Sequence, residues 1–226
     1  TGLALLPLAV GSFVASGFGG QLAGRRGAAF VVRLGIALEI VGIASIGLVV
    51  RDGQSWWPTV PCLLVYGMGV GLATAQLTGV VLVDVPPAQS GQGSGTQSTS
   101  RQVGSALGIA VLGTVLFTSL GTLLSHRIEA MAGIPTAQRD KLVSAVVDSA
   151  GAAITGLERS PATAAIAQAA RVAFTDAVRW TALSAVVFLV LGFLTSLALG
   201  REQGRHVSGP DHDLQPDSEG ATRAAS

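Results

Sequence analysis

The sequence has few charged residues, one cysteine and three histidines. The three histidines, His126, His206 and His212, are scattered and offer no cluster of metal ligands. Asp, Glu, Lys and Arg make up 12% of the 226 residues, whereas a soluble domain averages about 25%. So few charges cannot cover a surface that faces water, so much of the surface must face something apolar. The single cysteine, Cys62, excludes an intramolecular disulfide framework and a metal site built from several cysteines.

Basic clusters and catalytic arrangements are also lacking. The net charge is +1, and no basic stripe with interleaved aromatic residues occurs, so nucleic acid is not expected as a partner. No Ser, Cys or His is placed with a partner base. The glycines of Gly67–Gly71 lie inside a long apolar run rather than after a strand, and Ser90–Gly95 has no following Lys-Ser/Thr. The sequence therefore predicts no enzyme, no cofactor and no metal site.

Long apolar runs are what the sequence has in abundance. Five of them are long enough to cross a hydrocarbon core of about 30 Å as helices. The predicted membrane spans are residues 3–22, 28–50, 59–83, 102–124 and 180–200. The fold class that follows is an all-α integral membrane protein in contact with the lipid bilayer.

The segments between and after these spans are polar. Residues 84–100 are rich in Pro, Gly, Ser and Gln and predict a loop. Residues 125–179 hold many charges, and apolar residues recur at helical spacing from Leu142 to Leu157, which predicts an amphipathic helix outside the membrane. Ser160-Pro161 predicts the start of a second helix, which is expected to run directly into the last span. Residues 201–226 show no apolar period and predict a disordered cytoplasmic tail.

Five spans place the two chain ends on opposite sides of the membrane. The tryptophans Trp56, Trp57 and Trp180 then fall on one side. The arginines that flank the spans fall on the other side: Arg25, Arg26, Arg101, Arg201 and Arg205. Because Lys and Arg in short flanking segments favour the cytoplasm, the arginine side is predicted to be inside.

Small residues recur every four positions in the third span, at Gly67, Gly71, Ala75 and Gly79. This spacing forms a stripe with almost no side chain on one helix face, which favours close packing against another helix in lipid. Gly104 and Gly108 repeat the pattern in the fourth span, and the same packing role is predicted for them.

Glu39 is the most informative single residue. It lies about 16 Å along the second span, close to the bilayer midplane, where an acidic side chain costs about 2.5–3.5 kcal/mol to insert. Gly35 and Gly42 place it on the face that packs against other helices. It either lies on a substrate or proton path, or is a protonated structural side chain bonded across a helix interface. Arg33, nearer the membrane surface, is expected to extend to the interface.

Two further polar positions have open alternatives. Gln76, in the third span, either contacts a polar group of a substrate or bonds to a neighbouring helix. Arg101, beside Gln102 at the start of the fourth span, either holds helix ends or Asp84 together, or is an ordinary positively charged anchor.

Three segments resemble the major facilitator superfamily. Gly20-Gln21-Leu22-Ala23-Gly24-Arg25-Arg26-Gly27 is similar to its G-x-L-a-D-R-x-G loop signature, although Gly24 stands where the signature has Asp. Gly2–Leu8 and Arg101–Ala110 resemble the EmrB/QacA type of drug:proton antiporter, which has fourteen spans. By this resemblance the chain corresponds to spans ten to fourteen of a longer protein, and the missing N-terminal half carries the main proton-coupling acid.

The resemblance implies a secondary active transporter of the bacterial inner membrane. It would export lipophilic or cationic molecules by alternating access, with the proton gradient as energy source. Glu39 and Gln76 are expected near the central cavity. The residues expected at the cytoplasmic gate are Arg25, Arg26, Asp84, Arg101 and Gln102. The alternatives are an exporter of another small solute, or a membrane scaffold whose partners bind residues 125–179.

Overall fold

A computed structural model describes residues 2–51, 53, 55–82, 85–131 and 134–206, and every regular element in these ranges is helical. The α-helices are α1 Leu6–Arg26, α2 Ala28–Val49, α3 Thr59–Leu82, α4 Ser90–Glu129, α5 Thr136–Asp148, α6 Ala153–Leu157 and α7 Ala164–His206. Short 3-10 turns at Gly2–Leu5, Pro87–Gln89 and Pro161–Thr163 precede α1, α4 and α7.

Five of these helices, α1, α2, α3, α4 and α7, are long and apolar enough to cross a membrane. Large apolar side chains stay exposed on them, among them Phe13 at 82% and Ile109 at 72%. Exposure of this kind suits helices that face lipid, because lipid tails are as apolar as the side chains themselves. The chain is therefore an all-α membrane protein, as its apolar runs predict.

The five spanning helices pack in the order α1, α3, α2, α7, α4, and α4 also touches α3. The glycines of α3 lie at its closest contacts: a Cβ added to Gly67 or Gly71 would collide with a backbone carbonyl of α1. On α2, a Cβ at Gly35 would lie 2.7 Å from the Ala73 backbone nitrogen. Because α3 has almost no side chains at these positions, its backbone approaches both neighbours closely.

The helices α4 and α7 extend well past the membrane. They contain 40 and 43 residues, about 60 Å and 65 Å at 1.5 Å per residue, whereas the hydrocarbon core is about 30 Å thick. Their extensions pack with α5 and α6 into what we call the loop subdomain, residues 120–177. Its buried core is Leu120, Leu124, Ile128, Val146, Ile154, Ala170, Ala173 and Ala177.

The structure corrects the predicted loop at residues 84–100. Helix α4 already begins at Ser90, so most of that segment is helical. Glycine costs only about 1 kcal/mol relative to alanine in a helix. Ser90–Ser100 also adds turns to a helix that the apolar span has already nucleated, and adding turns is much easier than starting a helix.

The boundaries of the segment 125–179 are also corrected. The amphipathic pattern from Leu142 to Leu157 forms two helices rather than one, because Ala150 and Gly151 take left-handed φ values of 49° and 85° and end the helical path. The helix predicted to start near Ser160-Pro161 does run into the last span, since α7 is unbroken from Ala164 to His206. The predicted disordered tail is therefore wrong for residues 201–206, and residues 207–226 lie outside the described ranges.

Candidate functional site

A cavity of about 410 Å³ lies between α2, α3, α4 and α7. We call it the central cavity. It is lined by Glu39, Ile43, Tyr66, Gly104, Leu107, Gly108, Val111, Leu112, Ala185, Phe188 and Leu189. Among these lining residues Glu39 is the single charged side chain, and nearly all the others are apolar. The volume falls within the range of about 300–1,000 Å³ that is typical of small-molecule sites.

Tight helix contacts position Glu39 at the wall of this cavity. It lies near the middle of α2, and Gly69 of α3 packs directly against it. A Cβ added to Gly69 would come within 2.6 Å of the Glu39 backbone nitrogen and 2.8 Å of its Cγ. The glycine therefore leaves the space that the first part of the Glu39 side chain fills, and the rest of the side chain reaches the cavity.

Tyr66 lines the cavity beside Glu39, and sequence reasoning missed it. Its Cβ, Cα and backbone nitrogen would all lie 2.6–2.7 Å from a Cβ added to Gly42 of α2. Gly42 thus lets α3 bring Tyr66 close to α2. A signal was present in the sequence, since this is the only tyrosine of the chain and it lies inside an apolar span.

Gln76 does not line the central cavity. Its Nε2 lies 3.6 Å from a Cβ added to Gly19, a buried residue of α1. The two residues predicted for the substrate path, Glu39 and Gln76, are therefore not brought together. This position favours the alternative in which Gln76 serves the contact between α1 and α3.

The residues predicted at the cytoplasmic gate are spread over the surface. Arg25 and Arg26 are exposed in the last turn of α1, and the Arg26 guanidinium lies over the Phe30 ring, 5.3 Å from its centre. Arg101 and Gln102 are exposed within α4, eleven and twelve residues after the helix begins at Ser90. Asp84 lies outside the described residues, so the suggested contact with Arg101 stays a prediction.

Gly104 and Gly108 differ from the glycines of α3. A Cβ added to either would have no heavy atom within 4 Å in the part of the chain that the structure describes. Instead of lying at a helix contact, as their spacing predicted, both line the central cavity. The surroundings of Gly79, the last glycine of the α3 stripe, lie outside the description.

Two arginines join α2 to α7 on either side of Glu39. Near one end of the contact between α2 and α7, Arg33 Nη2 donates to the backbone carbonyl of Ser196, 3.0 Å away. Near the other end, Arg179 Nε donates to the carbonyl of Gly47, also at 3.0 Å. Arg33 is thus partly buried between the two helices, and its extension to the membrane interface stays a prediction. Its buried Nε has no hydrogen-bond partner among the described residues.

The Arg179 link continues into the loop subdomain. Asp176 lies 3.8 Å from Arg179 and 2.9 Å from Arg127 of α4, measured between charged atoms. Because Gly47 is in the last turn of α2, the guanidinium also faces the negative end of a helix dipole. A short chain of polar contacts therefore connects the end of α2 with both long helices.

Metal-binding clusters are not part of this arrangement. Within the described ranges, no group of three or more His, Cys, Asp or Glu side chains could hold a metal ion. The site is a largely apolar cavity within a membrane helix bundle, with one carboxylate in its wall. An ionisable residue at this depth typically marks the path of an ion or a substrate, which is the arrangement of small-molecule transporters.

Comparison with known proteins agrees with that class. The chain is 33% identical over 150 residues to the multidrug resistance protein Stp of Mycobacterium tuberculosis, over 66% of this chain and 27% of that protein. It is 29% identical over 150 residues to the probable actinorhodin transporter of Streptomyces coelicolor, over 61% and 25% of the two chains. It is 27% identical over 149 residues to the drug efflux pump JefA of Mycobacterium tuberculosis, over 66% and 29%.

The motif resemblance is thereby confirmed, and the chain is similar to bacterial multidrug transporters of the major facilitator type. The matched segment spans about a quarter of the length of these relatives. No family model matches the chain. No solved structure matches it either.

Proposed function

We propose that the protein exports lipophilic or cationic small molecules across the bacterial inner membrane, and that it is not an enzyme. The observation that carries the proposal is Glu39, the single carboxylate in the wall of an apolar cavity inside the membrane. The names of the relatives, which include multidrug resistance proteins and a drug efflux pump, support the same class of activity.

The proposed energy source is the proton gradient, because the negative charge of Glu39 can be balanced in the cavity either by a proton or by a cationic substrate. An ionised carboxylate in apolar surroundings is unfavourable unless a counter-charge accompanies it. Either a proton or a cationic substrate supplies that counter-charge, and Glu39 cannot accept both at once. Exchange of one for the other on the two sides of the membrane would couple proton influx to substrate export.

The proposed movement is alternating access, in which two helical halves rock about the cavity. The second half would come from residues beyond this chain, as in the longer relatives. We place the cytoplasmic gate at the end that carries Arg25 and Arg26, with Arg101, Gln102 and Asp84 as further members. Arginines that flank a membrane span on its cytoplasmic side also set the direction in which that span crosses the membrane.

The test is a Glu39→Gln variant in cells that express the protein. Glutamine keeps the shape of the side chain but can never be ionised, so export of a permanently charged cation should fall while membrane abundance stays normal. If Glu39 binds the substrate, export of neutral compounds should change less. If Glu39 carries the proton, export of all compounds should fall and its dependence on external pH should flatten.

A matched control is Glu129→Gln, which removes an exposed carboxylate at the end of α4. This control should leave export unchanged. Unchanged efflux by Glu39→Gln at every external pH, for charged and neutral compounds alike, would reject the proposal and leave Glu39 with a structural role.

A second candidate is an exporter of one particular solute rather than of many drugs. The relative in Streptomyces coelicolor, named as a probable transporter of actinorhodin, favours this alternative. The two candidates differ in the efflux assay, because a single-solute exporter would not lower the accumulation of chemically unrelated cations.

A further inference from the structure

Arg33 brings a positive charge to the contact between α2 and α7, and its neighbours do not balance that charge. A guanidinium has five N–H donors, and the hydrogen bond found for this one runs from Nη2 to the Ser196 carbonyl. Arg33 takes part in none of the ion pairs found between residues that the structure describes, whereas Arg179 pairs with Asp176. Charged side chains within membrane segments normally have a partner of opposite charge, so Arg33 lacks an anion.

The position of Arg33 around α2 shows from which side an anion can reach it. Phe30 and Leu48, which are 38% and 65% exposed, are five full turns apart and so share one face of the helix. Gly47, which packs against Ala182 of α7, lies about 100° to one side of that exposed face. Arg33 lies about 60° to the same side, between the contact with α7 and the exposed apolar face. Its partly exposed side chain therefore lies where that contact opens toward lipid.

The depth of Arg33 suits a lipid headgroup. It is five residues after Ala28, about 8 Å along α2 from the first residue of the helix. Helical side chains point toward the N-terminus of their helix, which here is the end next to Arg26. The Arg26 guanidinium lies over the Phe30 ring, 5.3 Å from its centre. Because Phe30 and Arg33 are neighbours at i and i+3, two arginines adjoin one aromatic ring at this end of α2.

We propose that Arg33 and Arg26 bind the phosphate group of an anionic phospholipid at the edge of the contact between α2 and α7. The phosphate accepts hydrogen bonds from the terminal nitrogens of Arg33, because the buried Nε is closed to a ligand. The acyl chains lie along the exposed face that carries Phe30, Val41 and Leu48. Neither arginine lines the central cavity, so this site is separate from the proposed transport path and does not depend on it.

The headgroup charge decides which lipids this site prefers. Basic pockets between membrane helices on the cytoplasmic side attract anionic headgroups, and the arginine end of α2 is predicted to be cytoplasmic. A phosphatidylcholine headgroup has the same phosphate but adds an ammonium group, which the Arg26 guanidinium repels. Of two lipids with identical acyl chains, the anionic one is therefore bound more tightly.

Lipid binding to the purified protein in a nonionic detergent, followed by native mass spectrometry during a titration, tests the inference. The probes are dioleoylphosphatidylglycerol and dioleoylphosphatidylcholine, which share their acyl chains and differ in headgroup charge. Inorganic phosphate, added as a competitor, distinguishes a lipid from a phosphate ion taken from water. The variants are Arg33→Gln, Arg33→Lys and Arg26→Gln. The matched control is Arg51→Gln, which removes an exposed arginine just beyond the other end of α2.

We expect Arg33→Gln to weaken the tightest binding of phosphatidylglycerol by about tenfold or more, as for the loss of hydrogen bonds to a charged group. Arg33→Lys keeps the charge without the planar fork and should lose about threefold. Arg26→Gln should also weaken binding, but less than Arg33→Gln does. Arg51→Gln should change it by less than about twofold, as for a screened surface charge. Millimolar inorganic phosphate should leave the lipid bound.

Three results would overturn the inference. Equal losses for Arg33→Gln and Arg51→Gln would show that lipids collect through the overall charge. Unchanged binding by Arg33→Gln would show that another part of the protein balances Arg33. Displacement of the lipid by inorganic phosphate would reject a lipid as the ligand.

Folding of the variants is checked by gel filtration. If Arg33→Gln alone does not fold, Arg33→Lys decides, and binding equal to that of the wild type rejects the inference. If neither variant folds while Arg51→Gln does, Arg33 is a packing residue and the inference is rejected as well. Export is not measured in this experiment, so its failure leaves the proposed function to the Glu39→Gln test.

Discussion

The link between Arg179 and the end of α2 gives the sharpest stability prediction. The Arg179→Ala change removes the hydrogen bond to the Gly47 carbonyl, at 3.0 Å, and the ion pair with Asp176, at 3.8 Å. A hydrogen bond to a charged group contributes about 1.5–3 kcal/mol. The ion pair adds little, about 0.2–1 kcal/mol, because the Arg179 side chain is 43% exposed and water screens it.

Water can replace part of the lost bond to Gly47, so we expect a net loss of about 2 kcal/mol in the free energy of unfolding. For a chain of 226 residues, each 1 kcal/mol shifts the melting temperature by about 2–4 °C, which gives a decrease of about 4–8 °C. Thermal unfolding of the purified protein in detergent, followed by circular dichroism, measures it.

The matched control is Arg159→Ala, which removes an exposed arginine of the loop subdomain. Its melting temperature should change by about 2 °C or less, as for most surface substitutions. Equal shifts for the two variants would show that the Arg179 contacts contribute no more than any surface charge, and would refute the reasoning. Arg179→Lys keeps the charge with a single donor group and should fall between the two.

Two further predictions concern packing and topology. Gly71→Leu should greatly reduce the yield of monodisperse protein in detergent, because a side chain there collides with the Ser12 carbonyl. Gly113→Leu is the control. A stable Gly71→Leu protein would show that α1 and α3 can separate without loss of the fold. In a Cys62→Ala background, the Ser55→Cys variant should be labelled by a membrane-impermeant maleimide added outside intact cells. The reason is that residue 55 adjoins the exposed Trp56 and Trp57, which are predicted to face outside. Labelling only after the cells are opened would reverse the assigned topology.

The spanning helices were predictable because length and apolar composition alone identify them in lipid. The ends of α2 and α3 were predicted to within one residue, whereas the ends of the long helices α4 and α7 were not. Ser90–Ser100 has the composition of a loop, yet it extends α4, because a polar segment can continue a helix that an apolar span has started. Composition describes which solvent a segment prefers, and a helix exposed to water meets that preference as well as a loop does.

The site was predictable in part. Glu39 could be identified from its depth in an apolar run, whereas Tyr66 depends on which residues of α2 and α3 meet, and spacing along one helix carries no information on its partner. The same limit explains Gly104 and Gly108. A repeat of small residues says that one face lacks side chains, and only the assembled helices show whether that face meets another backbone or an empty space.

Because α4 and α7 are continuous helices, each of them contributes both to the loop subdomain and to the wall of the central cavity. On α7, Phe188 at the cavity and Ala170 in the subdomain core are about 27 Å apart at 1.5 Å per residue. A tilt of about 10° at the level of Phe188 would displace Ala170 by about 5 Å, close to the rise of one helical turn. A binding protein raised against α5 would therefore restrict the tilt of α4 and α7, and with it changes in the cavity, without entering the membrane. A fluorophore on the same surface would report movements of these membrane helices.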